Sequence, residues 1–145
     1  MRSAALEGGF QDAPRQAAVA FRALMNVMAR PGVIETLQEA TPPAPLSIAA
    51  GSLLLTLADA NTPVHLAGDC DAQVVRDWIA FHTGAPVTGP SHAMFAVGRW
   101  EALLPLDSYP TGTPDYPDRS ATLIVEMDSL APDGTVLSGP GIKDR

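Results

Sequence analysis

The sequence predicts an α/β domain, with helices flanking a largely buried sheet. Apolar residues recur at helical spacing in two segments, and a third apolar segment is long enough for a buried helix. Short apolar runs rich in β-branched residues alternate with these segments, and proline- and glycine-rich stretches separate them. This alternation is typical of an α/β architecture, and the chain length suits one domain over residues 1–145.

The first predicted helix begins at Asp12, a suitable N-cap, and tolerates Pro14 in its first turn. It ends at Arg30, because Pro31 disfavours the α conformation in the residue before it. The apolar residues at helical spacing predict one packing stripe. They are Ala17, Phe21, Leu24, Met25 and Met28.

A second face of this helix carries arginines. At about 100° per residue, Arg15, Arg22, Asn26 and Arg30 fall within one sector. In an acidic chain, this sector is either a solvated face or a binding surface, and the pattern alone leaves both readings open.

The middle of the chain predicts a strand, a helix, a strand and a helix. Residues 32–37 suggest a short edge strand, residues 47–59 a helix that is apolar nearly all round, and residues 62–67 a strand. Asp71 then caps a helix that Gly84 terminates. One face of this helix is predicted to be apolar, with Val74, Val75, Trp78, Ile79 and His82.

The last third predicts two strands around an irregular loop. Residues 93–97 form a short buried strand, and residues 105–120 contain too much proline, glycine and aspartate for regular structure. Residues 121–127 are the clearest strand in the chain. Residues 131–134 form a turn, after which residues 135–138 are predicted to pair back.

Composition excludes several classes of function. Sixteen acidic and nine basic residues give a net charge of −7, which offers no general attraction for nucleic acid or an anionic membrane. No apolar run approaches the roughly 18–20 residues that span a bilayer. Cys70 is the only cysteine, so no internal disulfide can form, and we expect a cytoplasmic protein.

No catalytic or metal-binding pattern is visible. His65, His82 and His92 are widely separated and lack the spacing of a zinc site, and there is no GxSxG nucleophile motif. Carboxylates flank Cys70 on both sides, which raises a thiol pKa and disfavours a reactive thiolate. We therefore predict no catalytic residues and no metal site.

Ligand contact is predicted at arginines and at a terminal turn. Gly139-Pro140-Gly141 is either a backbone anion site or a plain turn, and Pro140 removes one donor. Arg119 and Ser120 end a long polar loop just before the clearest strand. The candidate ligand-binding residues are Arg22, Arg30, Arg119, Ser120, Gly139 and Gly141.

Several stretches, read in order, resemble one family. AFRALM is followed by RPG, LLLTLAD by TPV, and YPDRSATLIV by LSGPGI near the end. Their joint order and spacing resemble the PhnH family, whose members are subunits of the bacterial carbon–phosphorus lyase system. Family members continue beyond the LSGPGI-like motif, so the resemblance implies a domain that is incomplete at its C-terminus.

The resemblance implies a three-layer α/β/α sandwich like that of the pyridoxal-phosphate-dependent transferases. It also implies a homodimer that joins PhnG, PhnI and PhnJ in a cytosolic complex for alkylphosphonate use. Pyridoxal phosphate itself is not expected, because its Schiff base needs a positioned lysine and Lys143 is the only one in the chain. We expect no cofactor.

Two roles remain open for such a subunit. The first is an accessory subunit that supports formation of ribose 1-alkylphosphonate 5-triphosphate from ATP and a phosphonate. The second is a nucleotide- or phosphonate-binding subunit that contributes residues to that site, since arginines and backbone donors recognise such anions.

Overall fold

The computed structural model describes residues 6–131, 133–134 and 136. The helices in chain order are α1 (Ala13–Ala29), α2 (Ile48–Leu57), α3 (Gln73–Thr83) and the single-turn α4 (Trp100–Leu103). The strands are β1 (Val64–Leu66), β2 (Phe95–Arg99) and β3 (Thr122–Glu126). Short 3₁₀ turns lie between them at Gly68–Cys70, Pro90–His92, Leu106–Ser108 and Pro117–Arg119.

The three strands form one parallel sheet in the order β1-β2-β3. Val64 pairs with Phe95 along the first ladder, and Ala96 pairs with Leu123 along the second. Because successive strand residues point to opposite faces, neighbouring residues of β2 belong to different cores. Val97 lies in one buried cluster and Ala96 in the other.

Helices α2 and α3 cover the first face of the sheet. Leu54 of α2 and Trp78 and Ile79 of α3 are fully buried there against Val64 and Val97. The Trp78 indole N–H donates to the carbonyl of Glu7 over 2.8 Å, so the N-terminal segment is fixed to α3. Helix α1 packs on α2 rather than on the sheet, as a layer further out.

The second face has a thinner cover. Its buried residues are Ala67, Ala96, Leu103 and Tyr109, of which Leu103 belongs to α4 and Tyr109 to the segment that follows it. The Tyr109 hydroxyl donates to the Leu103 carbonyl over 2.8 Å, which ties that segment to α4.

Most predicted elements are confirmed. The class is α/β, α2 lies within the predicted range 47–59, and Gly84 ends α3 in the left-handed conformation with a φ of 74°. Strands β1 and β3 lie within the predicted ranges, while β2 begins two residues later than predicted and continues to Arg99. Helix α1 has the predicted caps, Asp12 and Arg30, although the Asp12 side chain makes no capping bond.

Two predictions are wrong, and one element was missed. Residues 32–37 form no strand, because this extended segment packs beside α1 and α2 and has no ladder partner among the described residues. Asp71 does not cap α3, which has Ala72 at that position; the Asp71 carboxylate accepts a bond from Arg76 instead. Helix α4 directly after β2 was not predicted.

The predicted packing stripe of α1 is also wrong in its orientation. Ala20 is the buried residue of this helix, and Leu24 is partly covered, but Phe21, Met25 and Met28 are exposed. The helix therefore carries two apolar faces, and the one that contacts α2 includes Ala20, Leu24 and Val27. The predicted pairing of residues 135–138 falls largely outside the described residues.

Across the described residues, the longest helices lack the combination of length and hydropathy needed to cross a bilayer.

Candidate functional site

A crevice opens at the carboxyl ends of the strands, where parallel α/β sheets usually bind ligands. The connection after β1 leads to α3 on the first face, and the connection after β2 leads to α4 on the second face. Because these two connections diverge, they leave a gap between them. The crevice has a volume of about 380 Å³, and its polar lining comes from Asp69, Arg99, Glu101 and Glu126.

Close backbone packing shapes the floor of this crevice. A Cβ added at Gly98 of β2 would lie 2.8 Å from the Ala67 Cβ and 3.1 Å from the Ala67 carbonyl oxygen. Glycine is therefore needed for the end of β1 to approach β2 so closely. The 3₁₀ turn Gly68–Cys70 continues from this point and forms one wall.

Glu126, the last residue of β3, is bound to the start of α2. Its carboxylate accepts one bond from the Ser47 hydroxyl (2.7 Å) and another from the Ser47 backbone N–H (3.0 Å). The same hydroxyl accepts the N–H of Ala50 over 3.1 Å. The positive end of the α2 dipole, which would otherwise attract an anion, thus already faces a carboxylate of this chain.

Among the described residues, Arg99 is the one base in the crevice lining, and it is also paired. Its guanidinium donates to the Asp128 carboxylate over 2.6 Å, and this hydrogen bond raises the arginine pKa further above its ordinary value. The described lining therefore carries three carboxylates and a single arginine that is paired with a fourth carboxylate. Such a lining disfavours a triphosphate or phosphonate and suits a neutral or cationic group.

Cys70 lies in the wall of the crevice but is not activated. Burial raises the pKa of its thiol to about 11, and the charges of Glu126 and Asp69 add to this effect. The predicted direction is thus confirmed, but burial is the main cause and Glu126 comes from a distant part of the chain. At neutral pH the group is a thiol and packs as an apolar side chain.

A larger hollow of about 710 Å³ lies beside the N-terminal segment. Gly8, Gly9, Gln16 and Glu39 contribute to its lining. The Gln16 amide is already used there, since its oxygen accepts the N–H of Asp12 and its nitrogen donates to the Glu39 carbonyl. The residues that line this hollow come from the N-terminal segment, the start of α1 and residues 38–43, and none comes from a strand end, where parallel sheets usually bind ligands, so the crevice is the better candidate site.

The structure does not bring the predicted ligand residues together at the crevice. Arg22 and Arg30 are exposed on α1, an outer helix. Arg119 stacks 3.8 Å above the ring centroid of Tyr116, and with Ser120 it lies just before β3, at the opposite end of that strand. Gly139 and Gly141 lie outside the described residues.

The histidines occupy three different environments. His65 contacts the Thr88 carbonyl through Nδ1 at 3.0 Å, His82 packs against Trp78, and His92 contacts Ser91. In the portion of the chain that the structure describes, no three His, Cys, Asp or Glu side chains are grouped as metal ligands.

The crevice residues were missed because they are separated in sequence. Arg99 ends β2 and Glu126 ends β3, and both side chains matter only once the strands are adjacent and parallel. A usable signal was present: Arg99 lies two residues beyond the strand predicted at 93–97, and Glu126 lies near the end of the strand predicted at 121–127. The carboxyl ends of neighbouring parallel strands meet at the same edge of a sheet.

Comparison with known proteins places the chain in a family. The family model described as bacterial phosphonate metabolism protein (PhnH) matches residues 8–145. A relative from Rhizobium meliloti (strain 1021) is named alpha-D-ribose 1-methylphosphonate 5-triphosphate synthase subunit PhnH. It is 44% identical over 143 residues, an alignment that covers 94% of this chain and 70% of the relative. The chain therefore belongs to the PhnH family of bacterial phosphonate metabolism proteins.

Proposed function

We propose that this chain is an accessory subunit of the complex that forms ribose 1-alkylphosphonate 5-triphosphate from ATP and a phosphonate. The observation that carries the proposal is the 44% identity to a relative named as a subunit of alpha-D-ribose 1-methylphosphonate 5-triphosphate synthase. The subunit forms and breaks no covalent bond in the reaction, and it shapes or stabilises the active site that its partners form.

The chemistry of the crevice supports an accessory role. Its carboxylates Asp69, Glu101 and Glu126 would repel both the triphosphate of ATP and a phosphonate. Cys70, the thiol in the described lining, has its pKa raised to about 11 and is not a thiolate at neutral pH. Neither electrophilic stabilisation of phosphate charge nor attack by a thiolate is therefore favoured at this site.

The assembly that we propose follows the resemblance to the family. The chain acts as a single domain, in the cytoplasm, as a homodimer that joins PhnG, PhnI and PhnJ. Its architecture is the three-layer sandwich of the pyridoxal-phosphate-dependent transferases, and the coverage of both sheet faces supports this.

The residues present do not suit pyridoxal phosphate. A Schiff base needs a lysine held in position, and residues 6–131 contain none. The crevice at the strand ends carries carboxylates, and its nearest helix end already binds Glu126, so a cofactor phosphate would meet like charge. No cofactor is part of the proposal.

Reconstitution tests the proposed function. PhnG, PhnI and PhnL, which the resemblance to the family associates with this step, are combined with and without this chain, and adenine release from ATP in the presence of methylphosphonate is measured. We expect release to depend on the chain, and we expect the chain alone to release none. Equal release with and without it, together with no co-purification with PhnG, PhnI and PhnJ, would overturn the proposal.

A second candidate is a subunit that binds the nucleotide or phosphonate directly. Two observations favour it: Arg22, Arg30 and Arg119 are exposed, and the ion pairs of the described residues involve other arginines, Arg76 and Arg99. Calorimetric titration of ATP and of methylphosphonate into the isolated chain distinguishes this candidate. Binding heat that is lost in Arg119→Ala would support it, and the absence of heat with both ligands would exclude it.

A further inference from the structure

Helix α1 presents an apolar surface that the rest of the described fold does not cover. Its inner face, around Ala20 and Leu24, contacts α2. Phe21, Met25 and Met28 lie on the outer side with exposed fractions of 48%, 51% and 65%. We call these three residues the outer stripe. Spaced four and three residues apart, they form a continuous ridge along the helix.

The outer stripe has a basic border. At about 100° per residue, Arg22 and Arg15 follow the stripe on one side of the helix, and both are exposed. Helix α1 contains no aspartate or glutamate, although the whole chain has a net charge of −7. Positive charge is thus concentrated next to the most exposed apolar ridge of this helix.

This charge pattern disfavours a second copy of the same helix as the occupant. A two-fold axis perpendicular to α1 would pair two copies in antiparallel fashion, and the arginine borders of the two helices would then meet. A two-fold axis parallel to α1 would pair them in parallel fashion and set each border beside the opposite side of the partner's stripe. In neither arrangement does α1 offer an acidic residue to Arg15 or Arg22. Like charges opposed across an interface oppose association, so the occupant should carry the opposite charge.

We infer that the outer stripe binds a partner subunit through an apolar groove flanked by carboxylates. This inference rests on the proposed function, because it names the surface by which the chain joins its complex. Methionine side chains suit such contacts, since their unbranched thioethers adapt to a groove, and Phe21 at the N-terminal end of the stripe provides an aromatic anchor. Arg22 and Arg15 fix the orientation by pairing with the flanking carboxylates.

The test compares two exposed apolar helix positions in the full chain. Met25→Asp places a charge in the outer stripe, and Phe81→Asp places one on α3, where Phe81 is 54% exposed. Binding of each variant to the co-expressed PhnG, PhnI and PhnJ subunits is measured as a dissociation constant. We expect Met25→Asp to weaken binding by about tenfold or more, and Phe81→Asp by less than about twofold.

Arg22→Glu tests the charged border separately. We expect it to weaken binding about tenfold at low salt and to flatten the dependence of affinity on salt, because interfacial charge pairs are screened. Unchanged affinity and salt dependence would overturn the carboxylate-flanked groove.

The remaining outcomes separate this inference from the proposed function. If the unaltered chain binds none of the three subunits, the proposed function fails. If it binds and Met25→Asp binds equally well, the function stands and the outer stripe is not the surface that binds the partner.

If Met25→Asp turns a dimer into a monomer, the occupant of the outer stripe is a second copy of this chain. If Met25→Asp lowers the thermal unfolding midpoint far more than Phe81→Asp, the chain covers the stripe itself. Both of these last outcomes overturn the inference.

Discussion

The two faces of the sheet are stabilised in different ways. The face under α2 and α3 buries large side chains, and Trp78, Leu54 and Ile79 are fully inaccessible there. The face under α4 buries small ones, Ala67 and Ala96, together with Leu103 and Tyr109. Strand β3 borders both cores, and its apolar residues, such as Leu123 and Ile124, are only partly buried.

This difference shows that a three-stranded sheet can be stabilised on its two faces by different interactions. The face under α2 and α3, called here the helix-covered face, depends on buried apolar area, which contributes about 25 cal/mol for each Å² removed from water. The face under α4, called here the thin face, depends on the close backbone approach at Gly98 and on the hydrogen bond from the Tyr109 hydroxyl to the Leu103 carbonyl. Substitutions on the helix-covered face should therefore lower stability by the side-chain volume that they remove. Substitutions on the thin face should lower stability by disturbing the close backbone contact or the hydrogen bond.

The largest effect is expected at Trp78 on the helix-covered face. Trp78→Ala removes a fully buried ring and the bond to Glu7, and it should lower the free energy of unfolding by about 3–5 kcal/mol. Urea unfolding measures the change. Trp100→Ala on α4, where the ring is 46% exposed, is the matched control and should cost less than about 1 kcal/mol. Equal losses in the two variants would contradict the comparison.

On the thin face, Gly98→Ala should be the most damaging small substitution. The new methyl group would lie 2.8 Å from the Ala67 Cβ and 3.1 Å from its carbonyl oxygen, so the backbone must move. Overpacking of this kind should lower the free energy of unfolding by about 2–3 kcal/mol. Gly89→Ala is the control, because nothing lies within 4 Å of a Cβ there. It should be neutral or slightly stabilising, and a cost like that of Gly98→Ala would refute the close-approach argument.

The titration of Cys70 tests burial on the helix-covered face. The pKa of its thiol rises from 9.0 to about 11 on folding, mainly because burial disfavours the thiolate. A raised pKa means that the folded state holds its proton more tightly than the unfolded state. The resulting stability is complete below about pH 9 and is lost as the pH rises through about 11, amounting to about 2 kcal/mol.

The measurement is the free energy of unfolding between pH 8 and pH 11 for the native chain and for Cys70→Ala. The variant should show a shallower alkaline decline. Burial also raises the pKa of Tyr109 on the other face, so some decline should remain in the variant. Identical pH slopes for the two proteins would show that Cys70 is not buried against the sheet as described.

The same contrast explains what sequence reasoning recovered. The face under α2 and α3 was predictable, because Val75, Trp78 and Ile79 recur at helical spacing and Gly84 marks the end of α3. The thin face was not, because α4 is one turn long and Tyr109 lies in a loop without periodicity. The packing face predicted for α1 was wrong, because this helix has two apolar faces and residue spacing alone does not tell which one contacts α2.

For the candidate site, local patterns carried even less information. The sequence directed attention to Arg119 and Ser120, because they end a long polar loop. The crevice instead depends on Asp69, Arg99 and Glu126, which come from three separate strand ends. Their proximity follows from the strand order and the diverging connections, which are tertiary properties. The raised pKa of Cys70 was predictable in direction, since Asp69 is its neighbour, but the contribution of Glu126 was not.

The smallest effect is expected for Tyr109→Phe, which tests the hydrogen bond of the thin face without changing its volume. The variant removes the hydroxyl that donates to the Leu103 carbonyl over 2.8 Å and leaves that buried carbonyl with one partner fewer. The free energy of unfolding should fall by about 1 kcal/mol, because the ring still fills its place. Thermal unfolding measures it, with Tyr116→Phe as the control, since Tyr116 is 50% exposed. A neutral result at Tyr109 would mean that the thin face is held by packing alone, like the face opposite.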